Sequence, residues 1–190
     1  MRELTPLAIA VLALLNEEPM HAYEMYQLLL ARKNDRLVKV RPGSLYHTVE
    51  RLAGHELVRA TGTERAGNRP ERTTYAITAA GRKALAERIR TGIEKYEYEF
   101  PLFPVVLSEA HNLDVEDALA RFRERVAHLD ATLAELDEAL AAAQAREVPE
   151  VFWLGGDYVR TQQAGERDWL KTLIKRIESK DLAWPHRKNK

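Results

Sequence analysis

The 190-residue chain contains no cysteine, and this absence excludes several classes of protein at once. Without thiols there can be no disulfide, no thiolate metal ligand and no cysteine nucleophile. The six histidines show none of the spacings typical of zinc sites, and the sequence has neither a glycine-rich phosphate loop nor a nucleophile elbow. We therefore predict that the protein is not an enzyme and that it uses no metal and no cofactor.

The chain also lacks the long apolar runs of a membrane protein. Its N-terminal apolar stretch covers only residues 7–15, whereas a membrane-spanning helix needs about 20 such residues. The same stretch lacks the positive start of a secretory signal, because Arg2 is offset by Glu3. We expect a cytoplasmic protein with no membrane partner.

An excess of charge of one sign is missing as well, since 29 Lys and Arg balance 29 Asp and Glu. The two halves nevertheless differ: residues 1–90 hold 15 basic against 10 acidic residues, and residues 91–190 hold 14 against 19. All four aromatic residues of the first half are tyrosines, and every tryptophan lies in the second. Binding to DNA phosphates needs a local excess of Lys and Arg, so the first half is the candidate DNA-binding part.

Three helical patterns follow one another in the first half. Thr5 followed by proline is a typical helix start. The threonine side chain accepts hydrogen bonds from free N–H groups, and proline at the first helical position sacrifices no backbone hydrogen bond. In the third pattern, Ser44 is the expected N-cap and Gly54 the end. The predicted helices cover about residues 5–16, 21–33 and 44–54.

After the third helix the pattern changes to that of strands. Residues 57–63 and 72–77 are rich in β-branched and aromatic residues. The glycine, asparagine and proline between them, at 64–71, are expected in an exposed hairpin loop. Thr78 then caps a long helix, predicted at 79–98. Three helices, a hairpin and a helix form the order of a winged helix-turn-helix.

A heptad pattern dominates the second half between residues 115 and 143. Such a narrow apolar stripe, sustained over about four heptads, predicts a coiled-coil seam that packs on another helix. A last helix is expected to begin near Trp153 or at Asp157. We predict that these helices pair two copies of the chain. The predicted dimerisation residues are Val115, Leu119, Phe122, Val126, Leu129, Leu133, Leu136, Leu140, Trp169 and Leu173.

The predicted fold class is therefore mainly α, with a winged helix-turn-helix of three helices and a two-stranded wing, followed by a long-helix dimerisation domain. We place the DNA-binding domain at 1–85, the helical dimerisation domain at 86–185 and a disordered tail at 186–190.

The third helix carries the residues that would read DNA. Its apolar positions Leu45, Val49 and Leu52 share one face, so its polar residues must point the other way. Arg51 can donate two hydrogen bonds to a guanine edge, and Ser44 at the helix start suits a phosphate. The predicted DNA-contacting residues are Lys39, Arg41, Ser44, Tyr46, His47 and Arg51 around this helix, and Arg65, Asn68, Arg69 and Arg72 in the wing.

Several stretches resemble the PadR family of bacterial regulators, which is named for control of phenolic acid decarboxylase. They are LTPLAIAVLALL (4–15), HAYEM (21–25), PGSLYHTVERL (42–52) and NRPERTTYAITAAGRKAL (68–85). The sequence departs from the family pattern at His21-Ala22-Tyr23, where Gly-Tyr is commoner, and at Ala79. The second half resembles the long C-terminal arm of the larger PadR subfamily. The resemblance implies a regulator whose two arms embrace to form a homodimer, and aromatic ligands for some members.

Together these features predict a sequence-specific transcription regulator that binds a palindromic operator in double-stranded DNA as a homodimer. We favour a repressor over an activator. A small aromatic effector would bind among Tyr96, Tyr98, Phe103, Trp153, Tyr158 and Trp169, although aromatic residues at helix junctions also serve in packing. The alternative is a winged-helix adaptor that binds protein, against which the arginines of the third helix and wing argue.

Overall fold

The computed structural model describes residues 3–64, 72–95 and 99–185. The chain forms two compact units, Met1–Glu97 and Tyr98–Lys190. Helices dominate both units and the strands form one small sheet, which confirms the predicted mainly α class. The helix at 79–94 lies entirely within the first unit. The predicted domain boundary after residue 85 would instead divide this helix between two domains. The predicted tail at 186–190 lies outside the described residues.

The first unit contains the predicted helices, with one different start. Thr5 caps the first helix, since its Oγ1 accepts a hydrogen bond from the N–H of Ala8, and proline follows at the first position. The third helix begins at Pro42 and not after Ser44, so the N-cap prediction was wrong. Proline suits a first turn, and Arg41 takes the N-cap position in extended backbone. The helices are α1 (Pro6–Glu17), α2 (Ala22–Ala31), α3 (Pro42–Gly54) and α4 (Ala79–Glu94).

The sheet has one strand more than the sequence predicts. Strands β2 (Val58–Glu64) and β3 (Arg72–Ile77) form the expected antiparallel hairpin, with a register shift between Ala60 and Gly62. A two-residue strand, β1 (Met20–His21), pairs with β3 on its other edge, which makes the strand order β1-β3-β2. Two residues are too short to show strand periodicity, so the pattern could not reveal β1.

Helix α1 is the centre of this unit, as its apolar sequence predicts. Val11 and Leu12 are fully buried, and the helix contacts α2, α3, α4 and β3. At its end, Glu17 accepts two hydrogen bonds from Arg32, which follows α2, at 2.6 and 2.8 Å. Because Arg32 donates these bonds, the pKa of Glu17 is lowered from its ordinary value. The pair joins the ends of α1 and α2 at the surface.

The start of α4 lies very close to Leu57, in the short segment between α3 and β2. The Thr78 hydroxyl donates to the carbonyl of Glu56 at 2.8 Å and accepts from the N–H of Gly81 at 3.0 Å. A Cβ atom at position 81 would lie 2.1 Å from the Leu57 carbonyl oxygen, which is far inside van der Waals contact. Only glycine therefore allows α4 to begin here.

The second unit is built on a helical hairpin. Its helices are α5 (Leu102–Ser108), α6 (Val115–Ala145) and α7 (Leu154–Glu178). Helices α6 and α7 are antiparallel, because Arg123 pairs with Glu178 at one end while Leu140 faces Gly156 near the other. In the described part of the chain, no helix combines the length and apolar content that crossing a membrane requires.

We predict that Gly81→Ala lowers the free energy of unfolding by about 1–3 kcal/mol, because the added methyl group forces α4 away from Leu57. Chemical denaturation followed by circular dichroism measures the effect. Gly54→Ala is the matched control, since a Cβ there meets no atom within 4 Å and alanine favours the helix. Equal stability of the two variants would contradict the packing at Gly81.

Candidate nucleic-acid interface

Helix α3 has the two unlike faces that a DNA-reading helix needs. Leu45, Val49 and Leu52 are buried against the core, and Thr48 joins them by donating its hydroxyl to the Ser44 carbonyl. The remaining predicted contact residues of this helix all lie on the exposed side: Ser44, Tyr46, His47 and Arg51. The structure thus brings them together on one polar surface.

His47 and Glu50 are neighbours on this surface. The Nδ1 atom of His47 lies 3.4 Å from Glu50 Oε2, and both side chains are largely exposed. A long hydrogen bond between exposed groups holds neither side chain firmly. His47 is therefore free to turn toward a ligand.

Arg51 is held by a residue that the sequence prediction did not include. Its Nη2 atom donates to the Thr5 hydroxyl at 3.2 Å, so the guanidinium lies beside the start of α1. Helix starts attract anions because their backbone N–H groups are free and the helix dipole is positive there. This placement suits a backbone phosphate, whereas reading a guanine would require the side chain to leave Thr5. The two residues are 46 positions apart, so no local pattern signals their contact.

The basic connector continues the exposed surface before α3. Lys39 and Arg41 are both exposed in the extended segment that leads into the helix. Their charges flank the polar face, where they can meet phosphates without reading sequence.

The predicted DNA contacts of the wing fall mainly on the loop between β2 and β3. Arg65, Asn68 and Arg69 lie outside the described residues. Arg72 begins β3 opposite Glu64, and only its backbone position is described. The wing contacts stay a prediction.

The heptad seam of α6 faces α7 of the same chain. Phe122 and Val126 pack with Leu170, Ile174 and Ile177 in the core of the second unit. The other predicted dimerisation residues are buried (Leu133, Leu136), half-buried (Val115, Leu119, Leu129, Leu140, Leu173) or exposed (Trp169). The partner helix that the seam predicts is therefore α7 of the same chain. A role of these residues in pairing two copies stays a prediction.

The predicted effector residues are spread along the hairpin. Phe103 lies under the Arg125 guanidinium, whose Cζ is 3.5 Å from the ring centroid. Trp153 donates its indole N–H to the Val148 carbonyl at the turn after α6, and Tyr158 follows in α7. From Arg125 to the end of α6 is about 30 Å at 1.5 Å per residue. The structure therefore does not bring Phe103 together with Trp153 and Tyr158. Tyr96 and Tyr98 lie outside the described residues, and the effector stays a prediction.

Comparison with known proteins identifies the family of this winged helix. Residues 11–87, from α1 into α4, match the model of the Transcriptional regulator PadR-like family. The winged-helix unit of the chain therefore belongs to this family. Its members are transcription regulators, a class distinct from enzymes. No curated protein matches the chain.

Solved structures of winged-helix regulators share the fold over both units. Bacillus subtilis PadR, solved in complex with operator DNA, is 15% identical with a TM-score of 0.74, covering 91% of this chain and 99% of that chain. The PadR-like regulator BC1756 from Bacillus cereus is 16% identical with a TM-score of 0.71, covering 92% and 99%. The Vibrio cholerae virulence activator AphA is 16% identical with a TM-score of 0.69, covering 91% and 98%. At sequence identities of 15–16%, the similarity shows a shared fold only.

Proposed function

We propose that this PadR-like regulator binds a palindromic operator as a homodimer, reads it with the exposed face of α3 and represses transcription. The observation that carries the proposal is the polar face of α3, left open by the chain's own core and flanked by Lys39 and Arg41. The operator complex of Bacillus subtilis PadR, which has the same fold, supports DNA as the partner.

The side chains of this face divide into two chemical roles. Ser44 and Tyr46 offer hydroxyl groups and Lys39, Arg41 and Arg51 offer cations, all of which can bind phosphate oxygens. His47 projects from the middle of α3, where it can donate to or accept from a base edge. The phosphate contacts set the orientation of the helix in the major groove, and the base contacts give specificity.

A homodimer is supported by the apolar side chains that one chain leaves in water. Large apolar residues are more than half exposed at both ends of the second unit: Phe100, Leu102 and Val105 around α5, and Val151, Phe152, Leu154 and Tyr158 around the start of α7. Exposed apolar surface of this extent marks a protein interface. A twofold dimer doubles the reading surface, which accounts for a palindromic operator. A dimer bound over a promoter blocks access to it, which is why repression is the expected direction.

A protein-binding adaptor is the alternative to a DNA-binding regulator. It would present the same face of α3 to another protein, and the exposed cations would then require a partner surface of complementary acidic charge. A test of binding to duplex DNA distinguishes the regulator from the adaptor.

We predict that the purified protein shifts duplex DNA from the region upstream of its own gene. The logarithm of the association constant should fall linearly with the logarithm of salt concentration, with a slope of about −0.9 for each phosphate contacted. Electrophoretic mobility shifts between low and physiological salt measure this slope. A protein that ignores duplex DNA even at low salt would remove the proposal and favour the adaptor.

A second prediction concerns Arg51. The Arg51→Ala variant should weaken binding to the operator and to unrelated DNA by similar factors and make the salt slope shallower by about 0.9, because the side chain lies where a backbone phosphate binds. Arg90→Ala is the matched control, because Arg90 is an exposed arginine of the same unit on α4. A loss of affinity confined to the operator would contradict the phosphate contact and make Arg51 a reader of a base edge.

A further inference from the structure

The exposed face of α3 has a centre and two edges, which follow from helix geometry. An α-helix turns by about 100° per residue, so the direction opposite its buried side chains marks the centre of the exposed face. The buried side chains of α3 are those of Leu45, Thr48, Val49 and Leu52. His47 and Glu50 each lie about 30° from the centre of the exposed face on the helical wheel. Ser44, Tyr46 and Arg51 lie about 70–90° from it, at the edges.

Within α3, all of which the structure describes, only glycines share this central line with His47 and Glu50. Gly43 and Gly54 lie on it near the two ends of the helix, and a Cβ atom at either position would meet no atom within 4 Å. The side chains of His47 and Glu50 are 83% and 69% exposed. A surface that approaches the face squarely therefore meets these two side chains first.

Glu50 places a negative charge at the centre of a face that cations flank. Among the described residues, its ion-pair partner is His47, whose Nδ1 lies 3.4 Å from Glu50 Oε2. DNA phosphates repel a carboxylate, so Glu50 weakens binding unless the bases offer it a hydrogen-bond donor. In the major groove the base edges lie at the floor, and the phosphates line the rim. A side chain at the centre of a docked helix face lies nearest the base edges.

The carboxylate restricts which base edge Glu50 can bind. An ionised carboxylate accepts hydrogen bonds and donates none. The donors in the major groove are the amino groups of cytosine (N4) and adenine (N6). Adenine N6 lies between two acceptors, its own N7 and the thymine O4, which both repel a carboxylate, whereas cytosine N4 has an acceptor on one side only. The chemistry therefore favours cytosine.

We propose that Glu50 is a specificity-determining residue, which accepts a hydrogen bond from the N4 amino group of one cytosine in each half of the operator. This inference rests on the proposed function and adds to it a residue outside the predicted contact set. The edge of the face that carries Ser44 and Arg51 then lies nearer the phosphates, which agrees with the position of Arg51 beside Thr5.

Selection of binding sites from a random duplex library, followed by titration of the selected duplexes, tests the proposal. The unmodified protein should prefer cytosine at one position by at least about fivefold, the lower end of the range for a specific base contact. Glu50→Ala should reduce that preference below about twofold and keep the preferences at other positions. Its affinity for unrelated DNA should rise about two- to fivefold, because an exposed charge that repels phosphates is removed.

Glu50→Gln provides a gain of preference that misfolding cannot produce. The glutamine amide both donates and accepts, which matches the N7 and N6 atoms of adenine. At the position where the unmodified protein prefers cytosine, this variant should prefer adenine.

Two control variants accompany these measurements. Glu87→Ala removes a glutamate of the same unit that is 67% exposed and pairs with Arg90, three positions away, so it should change neither the preferred sequence nor the affinity by more than about twofold. His47→Ala should keep the cytosine preference. If Glu50 acted only by holding His47, this variant and Glu50→Ala would lose the same preference. Circular dichroism checks that each variant keeps its helices.

The outcomes distinguish this inference from the proposed function. If the unmodified protein and Glu50→Ala select the same sequences, or if the lost preference is not for cytosine, the inference is overturned and DNA binding stands. A protein that selects no duplex at all overturns both.

Discussion

The close approach of α4 to Leu57 is the constraint on which the winged-helix unit depends. Leu57 lies between α3 and the wing, and its carbonyl accepts a hydrogen bond from the N–H of Thr78, whose hydroxyl donates to the neighbouring Glu56 carbonyl. Because Gly81 has no Cβ, the first turn of α4 packs directly against this carbonyl. The end of α3, both wing strands and the start of α4 therefore meet at one point. The position of the wing relative to the reading helix follows from that junction.

Folding and the proposed DNA recognition depend on the same helix. The apolar side of α3 completes the core around α1, and that packing leaves its polar side open. The hydrogen bond from Arg51 to Thr5 joins the reading helix to the start of α1, where a phosphate would also be stabilised. A substitution in the core of α3 would thus alter the proposed interface without touching a predicted DNA-contacting residue.

The second unit uses its apolar residues in two ways. The heptad seam holds α6 to α7, so the hairpin is stable within one chain. The apolar residues around α5 and the start of α7, together with Trp169, remain exposed after that packing. A surface of this kind is suited to association with another protein surface, as the proposed homodimer requires.

The sequence by itself determined the helices and wing strands to within a few residues, the capping roles of Thr5 and Thr78, the two faces of α3 and the family. These depend on residues within one or two turns of each other, so they leave a periodic pattern. Only the tertiary structure decided that α7 covers the α6 seam, that β1 adds a third strand and that Arg51 contacts Thr5. The reason is that periodicity shows which side of a helix is buried, whereas the identity of the covering segment depends on contacts between residues far apart in the chain.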